Sequence, residues 1–245
     1  MAPSLIGGNY AKDLSKAPSL SGGFFHSKTH EFVIPEDTVI YRIVETTYHE
    51  ADYKHIAVVY ELAFHSPDFI EEQIDELRDN GESDEDVVKA IIELGMEDED
   101  KGVIVARFAY DDFSFLDESQ QQAFGKQIRG AFVDPKKSGV GLAGQIYRQL
   151  ALIYGHLACD NTQTEFGAAL WAGTVRDVVG RVDIYDCTAQ KYVQELGDSA
   201  TGVGGFIAWD LSAVIPHLHQ FNLSRWKNYP FEIKSCRHIV LIVSS

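Results

Sequence analysis

Gly139, Gly141 and Gly144 stand at G-x-G-x-x-G spacing immediately before an amphipathic run, in "KKSGVGLAGQIYRQL" from Lys136 to Leu150. A helix that starts just after glycines turns unpaired backbone N–H groups and a partial positive charge toward the loop, and a residue without a side chain lets a phosphate approach the backbone. Lys136 and Lys137 add positive charge at the same place. Such a loop is suited to cradle a pyrophosphate, although a glycine cluster before a helix is also a common turn. The same spacing serves dinucleotide folds, and Asp160 lies 21 residues after Gly139, near the position of a ribose-binding acid. Against that fold, Asp134-Pro135-Lys136-Lys137-Ser138 separates the preceding strand from the first glycine, and no βαβ unit begins upstream.

Other reactive residue types form weaker patterns. His217-x-His219 puts two imidazoles on one side of an extended segment, but no carboxylate or cysteine stands at ligand spacing, so no metal site is expected. Cys159, Cys187 and Cys236 are widely spaced and odd in number, which fits a reduced compartment. Neither a G-x-S-x-G elbow nor a P-loop is present. Gly202 to Gly205 reads as a hinge, and Trp171, Trp209 and Trp226 as core or interface anchors.

These residues need elements to hold them. Val39 to Val44 and Ile56 to Phe64 are rich in strand formers, and Ile56, Val58, Tyr60, Leu62 and Phe64 fall on one face at period two. Ser66-Pro67 predicts a helix start, with Ile70, Ile74 and Leu77 inside; Ser83-x-x-Asp86 resembles a capping box ahead of Val87, Val88, Ile91 and Leu94. Further strands are expected at Val103 to Tyr110 and Gly130 to Val133. After the glycine loop follow a helix over Val140 to Tyr154 stopped by Gly155 and a strand at His156 to Cys159. "TEFGAALW" reads as a helix, "VGRVDIYD" as a strand, Ala189 to Leu196 as helical, "GDSATGVGG" as a linker and "RHIVLIVS" as a strand. The pattern is α+β, with α/β character and a mixed sheet. Residues 1–30, which hold the near-copies "APSLIGG" at Ala2 to Gly8 and "APSLSGG" at Ala17 to Gly23, read as a flexible arm; residues 31–186 form the main domain, including acidic helices over 67–96, and residues 187–245 a C-terminal extension packed on it.

The 245 residues carry a net charge of −16. Between Asp68 and Lys101 fifteen acids face only Arg78, Lys89 and Lys101, so −12 of that charge is local. Nucleic-acid binding, which needs a basic footprint, is not expected. No apolar run reaches the roughly 20 residues that span a bilayer, and the opening lacks the basic and apolar regions of a signal peptide, so a cytoplasmic protein without a membrane partner is expected.

"VDPKKSGVGLAGQIYRQL" resembles motif A of the GNAT superfamily of N-acetyltransferases, whose loop reads R/Q-x-x-G-x-G/A after a strand and V-x-P. Lys136-x-x-Gly139-x-Gly141 matches with Lys for Arg/Gln, and Val133-x-Pro135 matches upstream. The order strand, loop, helix, strand, helix, strand from Gly130 to Asp186 is similar to that family's core. The loop is about two residues shorter than the usual form, and the family's Asn-x-x-Ala-x-x-x-Tyr becomes Thr164-x-x-Gly167-x-x-x-Trp171, which removes a tyrosine that often protonates the leaving thiolate. The D-x-x-Q-[ST] and Leu-Trp wording is similar to divergent members found in bacteriophage genomes.

The resemblance implies a mostly antiparallel twisted sheet flanked by helices, and an acyl-CoA-dependent N-acyltransferase using acetyl-CoA on a small-molecule amine or a protein lysine; the acidic helices, if they flank the acceptor entrance, would suit a cationic acceptor. It implies pyrophosphate held by Lys136, Lys137, Ser138, Gly139, Val140, Gly141, Leu142 and Ala143, a pantetheine arm along Phe132, Val133 and Asp134, and an N–H near Val133 polarising the thioester carbonyl. A carboxylate should take the acceptor's proton; Asp111, Asp112, Asp134 and Asp160 are candidates by position, with Asp111 and Asp160 put forward as catalytic. Cys159 is an alternative acid or covalent relay, or plain core. The alternative function is a non-catalytic interaction protein on the same scaffold that docks partners on its acidic helices.

Overall fold

The computed structural model describes residues 4–6, 14–16, 22–35, 37–137, 141–160, 162–197, 201–209 and 239–244. In chain order they form strands β1 (Ser4–Ile6), β2 (Phe24–Val33), β3 (Ile40–Tyr48) and β4 (His55–Glu61), helices α1 (Pro67–Asp79) and α2 (Asp84–Glu93), and strands β5 (Val103–Leu116) and β6 (Gln122–Val133). Helix α3 (Leu142–Tyr154), strands β7 (His156–Ala158) and β8 (Thr162–Thr164), helices α4 (Glu165–Leu170) and α5 (Arg176–Val179), and strands β9 (Asp183–Asp186), β10 (Lys191–Glu195) and β11 (Ile239–Ser244) complete them. The class is α+β with mostly antiparallel pairing, as expected. The chain divides into two compact units, one of Leu14–Ala109 and Ala131–Leu142, the other of Met1–Asp13, Tyr110–Gly130 and Ala143–Ser245.

In the first unit β2, β3 and β4 form an antiparallel meander, with Thr29 opposite Val44 and Ile43 opposite Val59. The period-two face of β4 is present, but Ala57 and Val59 on its other face are fully buried too, so this strand is covered on both sides. Pro67 opens α1 directly after Ser66, whose side chain makes no cap bond, whereas Ser83 Oγ accepts from the Asp86 N–H at 3.2 Å and starts α2 as its sequence predicts. Ile70, Ile74, Val87, Val88 and Ile91 pack with Val33, Ile40 and Leu62. Each such side chain contributes roughly 1.5–3 kcal/mol when fully buried. Leu94, expected on the same stripe, is instead the exposed C-cap of α2. Arg78 secures the pair to the β2–β3 link, donating to Asp37 O at 2.6 Å and Ile34 O at 3.2 Å while pairing with Asp84 at 3.0 Å.

In the second unit the strand order is β10-β9-β11-β7-β6. Within this order β6 and β7 run parallel, with Lys126 opposite Leu157 and Gln127 opposite Ala158; β11, from the far C-terminus, is inserted antiparallel between β7 and β9. Strands β1 and β8 pair separately and in parallel. The expected strand at Val103 to Tyr110 continues to Leu116, and the one expected at Gly130 begins at Gln122, because Asp117 Oδ1 accepts from Ser119 N and Gln121 N and turns the chain into a hairpin. Ala189 to Leu196 is not helical. Asp186 Oδ1 accepts from Thr188 N and Ala189 N, Gln190 takes φ of 51°, and the chain returns antiparallel as β10 with Tyr192 edge-on to Tyr185 at 5.3 Å. The helix expected at "TEFGAALW" is longer than predicted, passing from α4 through a π-helical turn at Trp171–Val175 into α5, which Gly180 ends at φ of 82°. Among the described residues no helix is long and apolar enough to cross a membrane.

Candidate active site

The glycine loop joins β6 to α3. Asp134 closes the strand: its N–H donates to Val105 O at 2.8 Å, and its Oδ1 accepts from Lys136 N at 2.9 Å, shaping the turn Pro135–Lys137. That role makes Asp134 a turn former. Lys137 ion-pairs with Glu61 of β4, while Lys136 is exposed. Ser138, Gly139 and Val140 lie outside the described residues. Gly141 is exposed with φ of 76°, a conformation that L side chains rarely adopt, and the space that a Cβ would occupy there is open. Leu142 is buried, so only its backbone can serve a ligand, and Ala143 is half-buried in the first turn of α3. The third glycine has a different task. A Cβ on Gly144 would meet Thr174 Cγ2 at 2.6 Å, so this residue lets α3 approach the π-helical turn.

Beyond Gln127 the parallel register of β6 and β7 ends, and side chains take over the connection. Gln127 Nε2 donates to Cys159 O at 3.0 Å. Two residues on, Arg129 lies between the two carboxylates put forward from sequence, with Nε at 3.4 Å from Asp111 Oδ2 and Nη1 at 3.6 Å from Asp160 Oδ1. The structure therefore brings Asp111 and Asp160 to one guanidinium that sequence reasoning did not single out. Asp160 is buried; Asp111 keeps over a third of its side chain in water and is the better placed of the two to pass a proton to solvent. Asp112 points elsewhere, pairing at 2.6 Å with Lys126, whose Nζ sits 5.0 Å from the Tyr154 ring centre.

Two further candidates change role. Cys159 is fully buried, burial pushes its thiol well up, and its Sγ accepts from Leu241 N at 3.2 Å, so it is core and not a relay. Trp171 is buried against Tyr147, ring centres 5.4 Å apart. Tyr147, hydrogen-bonded to that indole, has its phenol pushed up by burial. His217-x-His219 and Trp226 lie outside the described residues, within which no group of three or more His, Cys, Asp or Glu has the arrangement of a metal site.

No protein-family model matches the chain, and no curated protein or solved structure matches it.

Proposed function

We propose that the chain is an acyl-CoA-dependent N-acyltransferase of GNAT type, with acetyl-CoA as donor and an amine as acceptor. The observation that carries this is the end of β6: a strand that leaves its parallel neighbour, turns through Asp134 and Lys136, passes Gly141 in a left-handed, open conformation, and feeds the N-terminus of a 13-residue helix. Backbone N–H groups of a helix start and the exposed ammonium of Lys136 suit a pyrophosphate, and Phe132 to Asp134 offer strand edge to the amides of a pantetheine arm. The coenzyme would supply an activated acyl thioester. The acceptor amine must lose a proton before it attacks, to a carboxylate or to water. A dinucleotide fold is disfavoured by the mostly antiparallel pairing and by the engagement of Asp160 with Arg129.

The buried Trp171 and the neutralisation of Lys137 by Glu61 favour the second reading, a non-catalytic interaction protein on the same scaffold. Coenzyme binding separates them. At 100 times its dissociation constant acetyl-CoA should stabilise the protein by about 2.7 kcal/mol, seen as a rise in melting temperature. A rise with NAD and none with acetyl-CoA would overturn the assignment.

A further inference from the structure

We propose that Lys16 is an acyl acceptor supplied by the chain itself, with residues 14–16 docked as an acceptor peptide beside the end of β6. This rests on the acyltransferase assignment and adds a substrate class to it: a lysine ε-amine in an extended peptide. Leu14 is buried with Ile56 and Ala109, in a cluster that Tyr48, Tyr53, Val58 and Phe132 complete. Arg107 Nη1 donates to Ser15 O at 2.8 Å and to Leu14 O at 3.3 Å. A buried apolar anchor with main-chain groups held alongside it is how extended peptides are bound: the pocket selects a side chain and the main-chain bonds fix direction. Leu14 alone would serve a simple cover. The guanidinium on two successive carbonyls also sets where the next residue, the exposed Lys16, emerges.

That place is next to the proposed thioester path. Phe132 packs on the same cluster that buries Leu14, and Asp134 N donates to Val105 O, two residues before Arg107 on β5. The guanidinium that clamps the arm thus belongs to the strand bonded to Asp134, and the flexible four-carbon stem of Lys16 starts one residue from the carbonyl it holds. The step is aminolysis of an acyl thioester. The ammonium of Lys16 gives one proton to a carboxylate or water, and Nζ attacks the carbonyl carbon. The N–C bond forms, the C–S bond breaks with its electron pair leaving on the thiolate, and the second amine proton ends on that sulfur. The products are a neutral amide at Lys16 and free coenzyme thiol.

Full-length protein is incubated with acetyl-CoA and its lysines are mapped by mass spectrometry over time. Lys16 should gain one acetyl group at least about tenfold faster than an exposed lysine such as Lys89, the advantage of holding an amine in place. Leu14→Asp and Arg107→Gln should reduce Lys16 to the rate of Lys89 while the melting shift with acetyl-CoA persists; Lys16→Arg should keep that shift and lose the fast increment. Without coenzyme, trypsin should cleave after Lys16 slowly in wild type and faster in Leu14→Asp, reporting the clamp independently of chemistry. A melting shift with Lys16 no faster than Lys89 overturns this inference and leaves the acyltransferase assignment standing; no shift at all overturns both.

Discussion

A guanidinium between two carboxylates relieves their repulsion, and taking it away leaves Asp111 of β5 and Asp160, just past the end of β7, without the positive charge they share. Arg129→Met should therefore lower stability by about 1–3 kcal/mol in urea unfolding, and Asp111→Asn placed in that background should return part of the loss. If the two changes simply add as losses, the trio is not a coupled unit. His156 gives a pH signature. Burial holds its imidazole below the ordinary 6.5, against a smaller upward pull from Asp117, and its Nδ1 lies 2.8 Å from Ser244 Oγ. As pH falls the unfolded chain binds the proton first, so stability is fully present above about pH 6.5 and is lost as pH drops toward the folded value. His156→Gln should flatten that acid limb of melting temperature against pH; identical limbs would remove His156 from the account. At this scale the sharing of Arg129 by Asp111 and Asp160 was not legible in the sequence, because the partner of Arg129 across the hairpin is defined only once the turn at Asp117 is known.

Elements with strong local signals were readable from sequence: Pro67 and Ser83 at helix starts, Gly155 at the end of α3, and the apolar β11. Those whose shape depends on a side chain bonding its own backbone were not. The Asp117 turn contains no glycine and puts Gln120 at φ of 60°, so a hairpin of 14 and 12 residues read as two short strands; Asp186 and Gln190 hid β10 in the same way. The glycine spacing is also resolved element by element, since Gly141 serves the turn and Gly144 the packing of α3 on Thr174 and Val178. Gly144→Ala should cost about 1–3 kcal/mol from overpacking, and a Thr174→Ser change that removes the contacting methyl should recover much of it. Chemical denaturation of the two single variants and the double variant checks this; no recovery would mean that the close approach lies elsewhere. Gly125 repeats the theme, because a Cβ there would collide with the His156 backbone where β6 meets β7.

For the whole molecule, the charge is placed as the sequence implied. Glu71, Glu72, Asp75, Glu76 and Asp79 are exposed on α1, while Asp84, Glu97 and Asp98 are engaged by Arg78, Arg42 and Lys101. Unpaired surface acids raise the local concentration of cations and act through a field that salt screens within about 10 Å at 0.1 M. Replacing those five with Gln or Asn should leave acetyl-CoA affinity nearly unchanged and weaken capture of a cationic acceptor at low salt only; equal capture by both proteins at every ionic strength would make this a solvated face and no more. The central claim, that the loop between β6 and α3 holds the coenzyme, is tested most directly by amide hydrogen exchange with and without acetyl-CoA. The account predicts slowed exchange confined to Phe132–Asp134 and to the loop through the first turn of α3. Unchanged exchange there, or protection appearing only in another part of the chain, would contradict it.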